Sequence, residues 1–301
     1  MTRPAELIEP SDLLHLDEEG ADRLLDRLEA EVPVHPSLVR IPRLPGVEAT
    51  VFGDTHGDWR STLEAARPFT GAPRTRALIG LGDYIDRPPM DSGEGSVANS
   101  LYLLQLAGRY PDRVFLVQGN HETHARIAVL PHTLPEEVDQ LWGPEESRYL
   151  RIASLLARGP LAIVTENGAY LAHGGFPLDP GAEPFPSEFA TIDDDRLAEI
   201  VWGETSVGRS HRNVVPPFDE AKLERFRERS GTRLFLRGHD PDLTGRPIYQ
   251  GRCLTLHTCR LYQRFGGVIV ARLPLGEEVS SVADLVVEHL GTEGREFPDP
   301  E

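Results

Sequence analysis

The chain has 301 residues, 39 % of them hydrophobic and 26 % charged, and a formal net charge of -17. That length suits one large α/β domain or two small ones and allows a substantial core, while the acid excess argues against nucleic acid, whose phosphates are bound by Lys and Arg displacing counterions. A phosphorylated substrate stays open, because bound metal ions can make a small site positive inside an acidic protein. No stretch approaches the ~18 uninterrupted apolar residues of a membrane span. The start, "MTRPAELIEPSDLL", has no apolar h-region, so a cytoplasmic protein is expected, with no membrane partner.

In chain order, "DEEGADRLLDRLEAE" reads first, as an amphipathic helix with Ala21, Leu24, Leu25 and Leu28 on one face. Packing on the core is the expectation for that stripe, with a partner interface as the alternative. A Pro-punctuated connector follows. From Glu48 onward one pattern recurs: a short apolar run, a glycine or other small residue, then a polar cluster. It occurs as "EATVFGDTHGD", "ALIGLGDYIDR", "RVFLVQGNHET", "AYLAHGG" and "RLFLRGHD". Helical stretches such as "SVANSLYLLQLAGRY" and "FDEAKLERFRER" separate some of these strands, which indicates an α/β architecture. In such sheets ligands gather beyond the carboxyl ends of strands, and all five clusters fall there. The Pro-rich loop 177–195 is expected to border the site, and the end, "GTEGREFPDPE", to be frayed. One domain is expected over 1–301, with 1–47 a helical extension and connector, 48–273 the catalytic core and 274–301 a tail.

The clusters carry chemistry that a turn does not need. Asp54 and His56 offer a carboxylate and an imidazole to one ion; Asp83 adds a carboxylate, Asn120 an amide oxygen, and His173 and His239 two imidazoles. Six oxygen and nitrogen ligands without a thiolate suit a divalent pair such as Mn²⁺, Fe or Zn²⁺. One carboxylate can bridge two ions ~3.5–4 Å apart. The thiols, Cys253 and Cys259, lie on an alternating stretch that reads as a strand spanning ~20 Å, beyond the ~7 Å reach of a disulfide. They fit a reducing compartment and a space-filling role.

In this order "GDTHG", "GDYIDR", "GNHE", "HGG" and "RGH" resemble the signature of the PPP-family serine/threonine protein phosphatases, within the calcineurin-like metallophosphoesterases. The resemblance runs from about Val51 to Leu273 and takes in "LTLHTCRLYQRFGGVIV", with Tyr262 at the place of the family's active-site tyrosine. It implies an α/β fold of the α+β kind, a β-sandwich of mixed sheets flanked by helices. It also implies that Asp54 and His56 hold one metal, that Asp83 bridges, and that Asn120, His173 and His239 hold the other. His121 would be the general acid, oriented by Asp86, and Arg87 would grip phosphate oxygens. A second arginine is implied in "VWGETSVGRSHR", where Arg209 and Arg212 both qualify. The expected function is a metal-dependent phosphomonoesterase, a serine/threonine protein phosphatase, in which water held by two divalent ions, Mn²⁺ before Fe or Zn²⁺, attacks phosphorus directly. Uncatalysed phosphate monoester hydrolysis is so slow that enzymes reach ~10²¹-fold acceleration, more than one side chain can supply, whereas metal binding brings the pKa of water from 15.7 to about 7. Phosphorylated protein or a small phosphoester would be the substrate.

Two departures stand out: "PPM" follows Arg87 where the family has glycine, and "HTCRLY" replaces a Ser-Ala-Pro-Asn-Tyr stretch. The rival readings are a nucleotide hydrolase resembling the symmetrical diadenosine tetraphosphatases and a non-catalytic metal scaffold. His15, His35, His132, His211 and His289 lie outside the motifs and read as solvated or structural. His124 reads as surface, and His257 as either a core or a rim residue.

Overall fold

The computed structural model describes residues 7–178, 185–209 and 212–291. His211, part of the Pro-rich loop and the chain end from 292 lie outside the described residues. The chain opens with the short helix α1 (Pro10–Leu13) and α2 (Glu18–Glu31), then β1 (Leu38–Ile41) and β2 (Glu48–Phe52). Next come α3 (Trp59–Gly71), β3 (Arg76–Gly80), α4 (Gly95–Arg109), β4 (Val114–Leu116), α5 (Leu134–Trp142) and α6 (Glu146–Leu156). The second half holds β5 (Ala162–Thr165), β6 (Ala169–Ala172), α7 (Asp194–Val201), α8 (Glu220–Ser230), β7 (Leu234–Arg237), β8 (Cys253–Thr255), β9 (Ile269–Pro274) and β10 (Val286–His289).

Two five-stranded mixed sheets result, ordered β1-β5-β6-β7-β8 and β10-β9-β2-β3-β4. The apolar runs seen in the sequence are continuous because these strands are buried on both faces, with a period of two deciding which face each residue serves. Ala49 and Val51 of β2, Ile79 of β3, and Leu171 and Leu236 of β6 and β7 meet between the sheets. Their neighbours Phe52 and Leu78 turn to the helices of one flank, and Tyr170 and Phe235 to the other. The structure is thus a sandwich of mixed sheets flanked by helices. β2, β3 and β4 run parallel, as do β6 and β7, so within each sheet the carboxyl ends share one edge.

The leucine stripe of α2 is buried within the chain, Leu25 and Leu28 at 0 % exposure. Arg148 of α6 pins that helix by donating to Asp22 Oδ1 at 3.0 Å and Glu18 Oε2 at 3.2 Å. The sheets also reach past the expected core of 48–273: β1 pairs with β5 from inside the connector, and β10 pairs with β9 from inside the tail. Neither ends in the glycine-and-polar cluster that marked β2, β3, β4, β6 and β7 in the sequence. The stretch expected as one strand from Cys253 to Cys259 is a strand only to Thr255. Beyond it the backbone changes partners: Leu256 N donates to Arg237 O, Thr258 N to Gly53 O, and His257 O accepts from Ile269 N. The chain there crosses from one sheet to the other, and both cysteines are buried and free.

Candidate active site and metal centre

The glycines ahead of the polar residues have a steric reason. A Cβ on Gly238 would lie 2.1 Å from Asp54 Oδ1, and one on Gly119 would lie 2.3 Å from Asp83 Oδ1. Only a bare backbone lets carboxylates from neighbouring strands come this close. The residues that follow are held in the left-handed region, with φ of 46° at Asp54, 42° at His56, 56° at Asp83, 64° at Asp86, 54° at Arg87 and 75° at His239. Such backbones cost about 1–3 kcal/mol each and persist where surrounding structure fixes them, as around active sites.

Asp83 lies at the centre. Its Oδ2 is 3.6 Å from His56 Nε2 on one side and 3.4 Å from His173 Nε2 on the other. His173 Nε2 in turn lies 2.9 Å from Asn120 Oδ1 and 3.2 Å from His239 Nδ1. Asp54 accepts from the backbone N–H of His239 at 3.0 and 3.1 Å. His56 Nδ1 donates to Ile85 O at 3.0 Å and His173 Nδ1 to Leu81 O at 2.8 Å, which leaves the lone pair of each Nε2 turned inward.

Burial opposes charge on His173, yet Asp83 and Asp54 beside it outweigh that and push its pKa up to about 9. Burial likewise acts to raise the carboxyl of Asp83, but His173, His121 and His56 hold it well below the usual range. Lone pairs and carboxylates converging in a buried space demand a positive charge there, a proton or a cation, so the donor set fits divalent metal. Two groups with ligand atoms within 4.8 Å of one another stand out, His56–Asp83–His121 and Asp83–His173–His239, and Asp83 belongs to both.

A cleft of about 180 Å³ opens over this centre, lined among others by Arg87, His121, Arg212 and Tyr262. His121 Nδ1 lies 2.5 Å from Asp86 Oδ2, while its Nε2 is buried with no hydrogen-bond partner among the described residues. Burial favours a neutral His121, but Asp83 and Asp86 outweigh it and raise its pKa. Arg87 is held by the Tyr262 hydroxyl at 3.3 Å and by Leu130 O at 3.1 Å. Of the two candidate arginines, Arg212 lines the cleft and Arg209 does not. Buried Glu204 positions Arg212, accepting from its Nη1 at 2.8 Å and its backbone N–H at 2.9 Å. None of the described residues of the Pro-rich loop 177–195 lines the cleft.

Three partners escaped sequence reasoning. His132, read as solvated or structural, places Nδ1 3.1 Å from Asp86 Oδ2 and Nε2 3.0 Å from the Tyr149 hydroxyl, with His124 stacked on it at 3.9 Å. Of its two readings, His257 is the buried and satisfied one, but its partner is a proposed metal ligand: its Nε2 is 2.9 Å from Asp54 Oδ2, and Thr244 Oγ1 is 3.0 Å from its Nδ1. Glu122 accepts from the backbone N–H groups of Asp83, Tyr84 and Gly119, each at 2.8 Å, and fixes the Asp83 turn. Its place in "GNHE", two residues after Asn120, was the available signal.

Asp58 anchors the wall that carries Tyr262. Fully buried, it caps α3 through Ser61 and accepts from Arg260 Nη2 and backbone N–H, both at 2.8 Å. Breaking a buried pair costs about 3–5 kcal/mol, and Arg260 keeps 33 % of its side chain in solvent, which softens the loss. Asp58→Ala is therefore expected to destabilise by about 2–3 kcal/mol, a fall in Tm of about 3–5 °C for a chain of this length. Differential scanning calorimetry measures it, and an unchanged Tm would show that solvent replaces the pair.

Two potential ligand groups sharing one buried carboxylate, on loops at the strand ends of a mixed sandwich, form a candidate dinuclear metal centre. The chain belongs to the calcineurin-like phosphoesterase family, whose model matches residues 48–243. Family membership carries with it a dinuclear divalent-metal site, for which the residues around Asp83 are the candidates: Asp54 and His56 on one side, and Asn120, His173 and His239 on the other. Among curated proteins the chain is similar to serine/threonine-protein phosphatase T of Saccharomyces cerevisiae, 28 % identical over 260 residues that make up 78 % of this chain and 47 % of the relative. The chain spans about half the length of the curated relatives it matches. Among solved structures, a Saccharomyces cerevisiae protein serine/threonine phosphatase with similarity to human phosphatase PP5 superposes with a TM-score of 0.69 at 23 % identity, covering 97 % of this chain and 92 % of that one. A cold-active protein-tyrosine phosphatase of a psychrophilic Shewanella gives 0.54 at 15 % identity, covering 81 % and 79 %. At these identities the two structures show the fold alone, and the fold serves both kinds of phosphatase.

Proposed function

We propose that the protein is a metal-dependent serine/threonine protein phosphatase. The observation that carries this reading is His121, whose Nδ1 is held 2.5 Å from Asp86 while its buried Nε2 has no partner among the described residues beside the cleft. That is the arrangement of a proton donor, and a proton is what the alkoxide of serine or threonine needs on leaving. Asp54, His56 and Asp83 would hold one ion, and Asp83, Asn120, His173 and His239 the other. Mn²⁺ is the first choice, with Fe and Zn²⁺ as alternatives, because hard oxygen and imidazole ligands suit all three. When bound, the ions acidify water for attack and screen the charge on the phosphoryl oxygens. Arg87 and Arg212, both lining the cleft, would grip those oxygens, and the Tyr262 hydroxyl 3.3 Å from Arg87 Nη1 orients it. A cytoplasmic setting goes with this reading, since both cysteines are buried as free thiols.

Phosphate release is measured from phosphoserine and phosphothreonine peptides beside a phosphotyrosine peptide and diadenosine tetraphosphate, with Mn²⁺ present and after chelation. Turnover of the first pair, lost on chelation, is expected. Preference for the dinucleotide would move the reading to a nucleotide hydrolase, and metal binding without turnover of any substrate to a scaffold.

The second clamp has its own test. A charge-assisted hydrogen bond is worth about 1.5–3 kcal/mol, so Arg212→Ala is expected to lower kcat/KM about 10–100-fold. Arg212→Lys, which keeps a charge beside Glu204 but loses the planar fork, is expected to fall between. Arg209→Ala should stay within about twofold of wild type, since a side chain outside the cleft has no charge-assisted bond of that size to lose. The reverse ranking in steady-state kinetics would reassign the clamp to Arg209.

A further inference from the structure

A groove of about 900 Å³ lies apart from the active-site cleft and shares no lining residue with it. It opens where the sandwich ends. One wall is β1, and the other is Phe115 of β4 with the loop from Tyr110 to Arg113. Both strands are sheet edges, β1 bonded only to β5 and β4 only to β3 among the described residues. Edge strands offer unpaired N–H and C=O groups to an incoming chain. Val39, Ile41 and Phe115 give the groove an apolar floor, each under 10 % exposed.

The charge of the groove runs against that of the molecule. Arg40, Arg109 and Arg113 line it with Asp112 as the one carboxylate, in a chain of net charge -17. Arg113 Nη1 is buried without a hydrogen-bond partner among the described residues, a donor that lacks its acceptor. The Arg40 guanidinium lies 5.5 Å over the Phe185 ring and has no carboxylate partner among the described residues.

We propose that this groove docks an extended acidic segment of another protein, carboxylates alternating with apolar side chains, added as a strand along β1. Main-chain bonds to the free edge give affinity, and alternate side chains give specificity. The apolar face covers Val39, Ile41 and Phe115. The carboxylates meet Arg40 and Arg113, where guanidinium forks give bidentate pairing.

Fluorescence anisotropy of the full chain with a labelled decapeptide of alternating Glu and Val, and with its counterpart carrying Lys for Glu, tests the proposal. The Glu peptide should bind at least ~10-fold tighter, because the charge-assisted pairs exist only for it. Arg40→Glu, at an exposed position, should cost most of that preference, and Arg113→Glu should do the same. Both variants should keep the wild-type rate on p-nitrophenyl phosphate, which also reports that they are folded. Removing residues 292–301 should leave the affinity unchanged. Equal binding of the two peptides, no binding of either, or wild-type binding by an active Arg40→Glu would overturn the proposal. So would a large gain in affinity on removing residues 292–301, which would mean that the chain's own end competes for the groove.

Discussion

Asp83→Asn is expected to strip the protein of its metal and, with it, nearly all activity. Oδ2 of Asp83 faces both ligand groups, 3.6 Å from His56 Nε2 and 3.4 Å from His173 Nε2, and its Oδ1 accepts from the backbone N–H of His121 at 3.1 Å. Asparagine keeps the shape and one oxygen but removes the negative charge that two cations would share. Removing one partner from a buried charge assembly costs about 3–5 kcal/mol, which at about 1.36 kcal/mol per decade is a fall of roughly 10²–10⁴ in metal affinity. Single-group replacements such as His56→Ala or His239→Ala loosen one ion directly and should retain more metal. Elemental analysis after gel filtration is the measurement, run beside activity against added Mn²⁺. Excess metal should restore part of the activity of Asp83→Asn. A variant that kept two ions and wild-type turnover would show that the bridge lies elsewhere.

The site was legible because each strand that feeds it ends in the same way. A strand buried on both faces writes a continuous apolar run, and the close approach of Asp54 to residue 238 and of Asp83 to residue 119 requires glycine at both. What lay hidden is tertiary. His132 reaches Asp86 across 46 residues of chain, because the loop before α5 brings Thr133 N and Leu134 N onto Asp86 Oδ1 at 2.7 and 3.1 Å. Nothing local marks that meeting. His257 looked equally like a core or a rim residue because the reading assumed an unbroken strand, whereas the chain crosses between sheets there and delivers the ring to Asp54. Between Arg209 and Arg212 the choice rests on Glu204, eight residues before Arg212 in an irregular loop where no periodicity fixes which side chain turns inward. β1 and β10 hid for a different reason: four-residue strands like β6 and β7, they lack the polar cluster that marked those two.

His121→Asn should separate substrates by their leaving groups. Asp86 Oδ2 holds His121 Nδ1 at 2.5 Å, and with Asp83 it raises the pKa of the ring against the effect of burial, which favours the protonated ring whose Nε2 lies beside the cleft. A nitrophenyl ester expels an acidic phenol that leaves as the anion. A phosphoserine peptide must expel an alkoxide, which needs that proton in the transition state. His121→Asn is therefore expected to cost on the order of 10²–10⁴ in kcat on the phosphopeptide, the range of general acid catalysis, and at most about tenfold on p-nitrophenyl phosphate. Asp86→Asn should show the same asymmetry more weakly. Its carboxylate, held below the usual range by His121 and His132 against the effect of burial, orients and charges the ring but does not itself touch substrate. Metal content should stay near wild type in both variants, since the ligands proposed for the ions are other residues. Equal losses on the two substrates with metal retained would mean that His121 positions phosphate or water and donates no proton.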